Sequence, residues 1–114
     1  MTVLTHISVE QGTEMIFSHY DTGGPMWTGN GPREERKRVV FDIPFATVPN
    51  VHLSASLWDV ETSSNIRLDV FATAVSEQGF DIVARTWDDT RIARLRADWL
   101  AIGGAVDPDL WRLS

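Results

Sequence analysis

From Val51 onward the chain alternates apolar and polar residues through three consecutive segments, a pattern that few folds accept. In residues 51–59 the odd positions Val51, Leu53, Ala55 and Leu57 are apolar, with His52, Ser54, Ser56 and Trp58 between them. In residues 66–75 the even set Ile66, Leu68, Val70, Ala72 and Ala74 makes one face and Arg67, Asp69, Phe71 and Thr73 the other. In residues 80–87, Phe80, Ile82, Ala84 and Thr86 oppose Asp81, Val83, Arg85 and Trp87. A period of two sustained this long predicts half-buried antiparallel strands. Their outward faces are not uniformly polar: Trp58, Phe71, Val83 and Trp87 stand where water is expected, as at a subunit interface or a ligand platform.

The flanks complete an all-β chain. Residues 38–43 read as a strand with Val39, Phe41 and Ile43 on one face, residues 93–102 as a last strand closed by Gly103-Gly104, and residues 3–9 as a first one. Turn signals fall at Pro44, Val48-Pro49-Asn50, residues 61–64, Glu77-Gln78-Gly79 and Asp88-Asp89. The short connections between them predict that successive strands are antiparallel neighbours. Residues 20–32 are dense in Gly and Pro and read as a long irregular loop, with Trp27 in its middle arguing for an ordered, functional one. Six strands and no helix of ten residues predict a six-stranded antiparallel β-sandwich. At 114 residues one domain is expected over 1–114, with its core at about 9–103 and a short tail, 104–114, whose Leu110 and Trp111 fold back over an apolar patch.

Composition removes whole classes of function. There is no cysteine, so disulfides, thiolate metal sites and thiol catalysis are excluded. A net charge of -6 argues against nucleic acid, whose binding depends on clustered Lys and Arg; the run Arg36-Lys37-Arg38 follows Glu34 and Glu35, which largely offset it. No apolar run approaches the roughly 20 residues of a membrane span, and the N-terminus lacks the basic and apolar regions of a signal peptide. The expectation is a soluble protein, cytoplasmic or exported by a non-classical route, without membrane insertion.

Catalysis finds little support. His6, His19 and His52 show no metal-ligand spacing, neither HExxH nor GxSxG occurs, and no phosphate-cradling glycine motif is present. His52 reads as a solvent or interface residue, and Asp88-Asp89 as a turn in preference to paired acid and base carboxylates. No cofactor or metal is implied. Binding is better provided for, because a sugar presents an apolar ring face and a rim of hydroxyls, and its sites combine an aromatic plane with planar hydrogen-bonding groups. Trp87, Asp88 and Arg67 supply that combination. The plainer alternative is that Trp87 packs against a neighbour and Arg67 pairs with Asp69 or Asp81.

Four ordered blocks sharpen the choice. FDIPFATVPNV, WDVETSSNIRLDV, GFDIVARTWDDTRI and ADWLAIG, in this order and spacing, resemble the H-type lectin domain, the fold of snail agglutinins and of discoidin C-terminal domains. The resemblance runs from about Val9 to Gly103. It implies a six-stranded antiparallel sandwich assembled as a trimer, or a dimer of trimers, with galactose or N-acetylgalactosamine bound in clefts between neighbouring copies. It places the sugar-binding arginine on Arg67, the aromatic platform on Trp87 and the next polar residue, histidine in the snail protein, on Asp88. The aspartate contributed by the neighbouring copy falls on Asn30, with Thr28 near it, and a further aromatic of the family falls on Ala93. The reading is a non-catalytic carbohydrate-binding homotrimer for neutral sugars; the rival is a structural trimer of a phage or secretion appendage that keeps the fold without sugar binding.

Overall fold

The computed structural model describes residues 6–105. Six strands carry them: β1 (Ile7–Ser18), β2 (Arg33–Val40), β3 (Asn50–Val60), β4 (Asp69–Thr73), β5 (Gly79–Thr86) and β6 (Ile92–Gly104). They form two antiparallel three-stranded sheets, ordered β1-β6-β3 and β2-β5-β4. This is the all-β sandwich that the alternation predicts. The connectivity is different from expectation, because β4 and β5 are the one consecutive pair that hydrogen-bonds side by side, and every other link crosses from one sheet to the other. A strand with a single apolar face needs a second sheet opposite it, and a short link around the end of the sandwich provides that as readily as a hairpin provides a neighbour.

Phe80, Ile82 and Ala84 on β5 face Leu95, Ala97, Trp99 and Ala101 on β6 across the core, all of them buried. Phe41, Phe80 and Trp99 form an aromatic cluster with centroids 5.4–5.8 Å apart, and Phe45 closes on Phe41 at 4.9 Å. Burial of side chains this large contributes roughly 1.5–3 kcal/mol each. The Trp99 indole lies against the bare backbone of Gly12, where a Cβ would come within 2.7 Å of the ring.

Two β-bulges sit on either side of the central strand β6 at the same level. Ile16 is the extra residue in β1 and Ser56 in β3, and both bulges flank Arg96. The Arg96 guanidinium donates to Ser56 Oγ at 3.1 Å and to its carbonyl at 3.3 Å, holding the second bulge in place. One inserted residue inverts every side chain after it. Trp58 consequently pairs with buried Leu95 and points to the inner side of the sheet, at the rim of the sandwich, where it stays 55 % exposed.

Several expected boundaries and faces are therefore corrected. Val83 does face outward but is fully buried, because Phe71 on β4 and Arg36 on β2 lie directly beside it and the Arg85 guanidinium caps Phe71 at 4.9 Å. The four outward apolar residues thus make no common patch. The segment 66–75 forms a strand over Asp69–Thr73 alone, with Ile66 exposed before it and Ala74 in a left-handed turn after it, φ 51°. The strand expected at 38–43 runs instead from Arg33 to Val40, which leaves Ile43 exposed, and the first strand extends to Ser18. The loop at 20–32 contains two single-turn helices, α1 (His19–Thr22) and α2 (Pro25–Thr28). Leu110 and Trp111 lie outside the described residues.

Candidate functional site

The β5–β6 turn is built around two buried hydroxyls. Thr86, the last residue of β5, donates to the carbonyl of Arg67. Thr90 accepts from the Arg67 N–H at 2.9 Å and donates to the Asn65 carbonyl at 2.6 Å. Asp89 Oδ1 accepts from the Asn65 backbone and side-chain amides at 3.1 and 3.2 Å. Both ends of the turn are thereby fastened to the segment 65–67, which brings Arg67 to the same rim as Trp87. Both are exposed, and the Arg67 guanidinium has no ion pair or hydrogen bond among the described residues. Asp81, one of the partners considered for it, is taken by Arg36 and Arg38.

A second organiser, Arg33, carries no sequence signature. Its guanidinium donates to the carbonyls of Gly31 (2.9 Å), Pro25 (3.1 Å), Met26 (3.3 Å) and Asp88 (3.3 Å), so one planar fork joins α2, the Gly31 turn and the β5–β6 turn. Burial, and secondarily the charge of Arg91, draws its pKa down from the ordinary guanidinium value. Asp88 sits in the left-handed region at φ 63°, a conformation that Asp tolerates better than most residues, and its carbonyl also accepts from the Gly31 N–H at 2.8 Å.

Within one chain, the five residues that the sequence assigns to a sugar site do not line one cavity. Trp87 borders a cavity of about 260 Å³ with Pro32, Arg33, Glu34, Arg85 and Thr86. Asn30 borders another of about 360 Å³ with Glu61, Ser63, Ser64, Asp89 and Arg91. Arg67 and Asp88 are held at the same end of the sandwich by the bonds above, and the hydroxyl of Thr28 is turned to the carbonyls of Gly23 (3.1 Å) and Gly24 (3.0 Å). Around the Trp87 cavity, hydrogen bonds from Arg85 and then Arg36 hold the Glu34 carboxyl below the usual range. Hydrogen bonds from Ser63 do the same for Glu61 beside Asn30. Ala93, where the resemblance puts an aromatic, is buried. No cluster of His, Asp or Glu among the described residues has the arrangement to hold a metal ion. No helix among them is long and apolar enough to cross a membrane.

The two-layer antiparallel sandwich carries an exposed tryptophan and an uncommitted arginine on one rim. Residues 36–102 match the H-type lectin domain family model, and the chain belongs to that family. It is 50 % identical over 108 residues to a Fuscovulum blasticum protein named ATP synthase subunits region ORF 7, covering 95 % of this chain and 94 % of that one. It is 37 % identical over 75 residues to a Discoidin-1 polypeptide of Dictyostelium discoideum, covering 65 % of this chain and 30 % of that one. Among solved structures, discoidin II of Dictyostelium discoideum superposes with a TM-score of 0.77 at 23 % identity, over 90 % of this chain and 39 % of that one, a likeness of fold.

Proposed function

We propose that this chain is a non-catalytic carbohydrate-binding lectin for neutral sugars of the galactose and N-acetylgalactosamine type, acting as a homotrimer. The observation that carries the reading is the pairing of an exposed Trp87 with an Arg67 whose backbone is fixed by Thr86 and Thr90 and whose guanidinium is left uncommitted. Such a rim offers a ring face to stack on and a rigid donor fork for hydroxyls. Asp88 adds an acceptor beside it, which suits neutral sugars and disfavours acidic ones through like-charge repulsion. Asn30, two residues after Thr28, borders a separate cavity within one chain, in keeping with a contribution to the site of a neighbouring copy; the commitment of the Thr28 hydroxyl to backbone carbonyls makes Asn30 the stronger of the two.

A glycan array probed with the parent chain and with Trp87→Ala tests the reading. Binding to terminal galactose or N-acetylgalactosamine that is lost in the variant supports it. An array silent for the folded parent chain refutes it and favours a structural trimer that keeps the lectin fold without a ligand.

A further inference from the structure

A third cavity, of about 360 Å³, opens between α1, α2 and the paired ends of β3 and β6. Tyr20, Asp21 and Trp27 line one side, and Asp59, Ala93 and Arg94 the other. Its size lies within the roughly 300–1,000 Å³ typical of small-molecule sites. None of Arg67, Trp87, Asp88, Asn30 and Thr28 borders it, although Ala93, where the family pattern places an aromatic, does. We propose that this cleft is a second carbohydrate site, contained within a single chain, that binds a neutral pyranose.

The aromatic wall is preformed. Tyr20 and Trp27 meet edge to face with centroids 5.5 Å apart at 68°, making a corner, and Tyr20 stays 64 % exposed. The loop that presents them is pinned at every turn. The Met26 N–H donates to His19 Nδ1 at 3.1 Å, while His19 Nε2 lies 3.3 Å from a carboxylate oxygen of Glu35. The Trp27 N–H donates to the Gly24 carbonyl at 3.1 Å, Met26 is fully buried, and Arg33 holds the Pro25 and Met26 carbonyls. Immobilising the rings beforehand removes an ordering cost that binding would otherwise bear.

The opposite wall supplies polar groups suited to hydroxyls. The Nε and Nη2 of Arg94 both donate to Asp59 Oδ2, at 3.2 and 3.0 Å, in a pair that is about half exposed. Neither Asp59 Oδ1 nor Arg94 Nη1 takes part in this pair, which leaves the carboxylate an acceptor and the guanidinium a donor for a ligand. Adjacent sugar hydroxyls, each able to donate and accept, match that combination. Asp21 adds an acceptor, its Oδ2 already receiving the Ser18 hydroxyl at 2.7 Å. The same groups bear on the ligand class: the two aspartates disfavour sialic and uronic acids, while Arg94, paired with Asp59, leaves a quaternary ammonium on the aromatic corner as the competing ligand that the test must separate from a neutral sugar. Buried Ala93 forms the floor, and its small side chain leaves the cleft open where the family pattern places an aromatic.

The test is a protein-observed NMR titration that follows the indole N–H signals of Trp27 and Trp87, assigned from Trp→Phe variants, against methyl glycosides of galactose, glucose, mannose, N-acetylgalactosamine and N-acetylglucosamine. In Trp87→Ala, at least one neutral glycoside still shifts the Trp27 signal. Tyr20→Ser, at an exposed position that leaves the fold intact, and Arg94→Gln each weaken that response tenfold or more. The Trp87 response, whether or not it exists, is a separate signal, so failure of the first site leaves this one testable. Absence of any Trp27 shift in the folded parent chain up to tens of millimolar glycoside overturns the proposal. So does a Trp27 response to choline or sialic acid in place of neutral glycosides, or its disappearance with Trp87→Ala.

Discussion

Thr90 is fully buried and its hydroxyl serves two backbone groups, accepting from Arg67 and donating to Asn65. Thr90→Val keeps the shape and strands both groups, so stability should fall by about 1–3 kcal/mol. Because Arg67 loses its anchor, affinity for the sugar should fall several-fold although residue 90 touches no ligand. Thermal denaturation alongside a titration checks both, and lost stability with unchanged affinity would make Thr90 a purely structural residue. Gly12→Ala drives a methyl into the Trp99 indole, and overpacking of this kind costs about 1–3 kcal/mol, visible as a lowered Tm. Arg67 and Trp87 are singled out in the sequence by residue type within alternating segments, and the structure puts both just beyond the strands, on one rim. The sequence could not show Arg33, whose four acceptors are main-chain carbonyls that leave no mark on residue type. The Tyr20 and Trp27 cleft was half visible: Trp27 marked the loop as functional, but Asp59 and Arg94 become its neighbours only through the β3–β6 register.

At the scale of elements, alternation identified the strands and failed wherever one side was not apolar. Before its bulge, β1 turns Ser8, Glu10, Gly12 and Glu14 inward, opposite Gly103, Ala101, Trp99 and Ala97 of β6, and only Ile16 and Phe17 at its end are apolar core residues, so alternation does not mark most of this strand. β2 reads as charge throughout until Val39, because on one side it lies at the edge of its sheet and on the other it builds ion pairs with β5. Bulges escape sequence altogether, and the one at Ser56 is why Trp58 was assigned to the wrong face. The charged lattice gives a pH prediction with a definite sign. Glu34 accepts from Arg85 at 2.8 Å and Arg36 at 3.2 Å, and its pKa in the folded chain is lowered by these bonds. A carboxyl depressed in the folded state adds stability above its unfolded pKa and loses it as pH falls through the folded one. The difference in Tm between the parent chain and Glu34→Gln should therefore be small, present at neutral pH, and vanish in acid below the ordinary carboxylate range. A difference that grows on acidification would mean that the Arg85 and Arg36 bonds do not stabilise the fold.

For the whole molecule, assembly and affinity are linked. The apolar surface that the alternating strands suggested for a second copy is not formed, since Val83 is covered and Trp58 points the other way. The register of the β1-β6-β3 sheet instead puts Ile7, Val9, Leu100 and Ile102 on its outer face, with Ile7 and Val9 each 58 % exposed. Apolar groups gathered there favour association. A single sugar stacked on one tryptophan and held by a few hydrogen bonds binds in the millimolar range, about 4 kcal/mol. Useful strength then requires several sites on one particle, and linking them multiplies avidity by about 10²–10⁴ without a new contact. Light scattering should accordingly give the mass of three chains, or six. Val9→Asp, which places a charge on the outer face of an edge strand without touching the core, should yield monomers whose binding to a multivalent glycoconjugate falls at least a hundredfold. The Trp27 response to free glycosides should be unchanged in those monomers, because that cleft is complete in one chain. A parent chain that is monomeric at micromolar concentration, or a Val9→Asp trimer with full avidity, would rule out this face as the source of assembly.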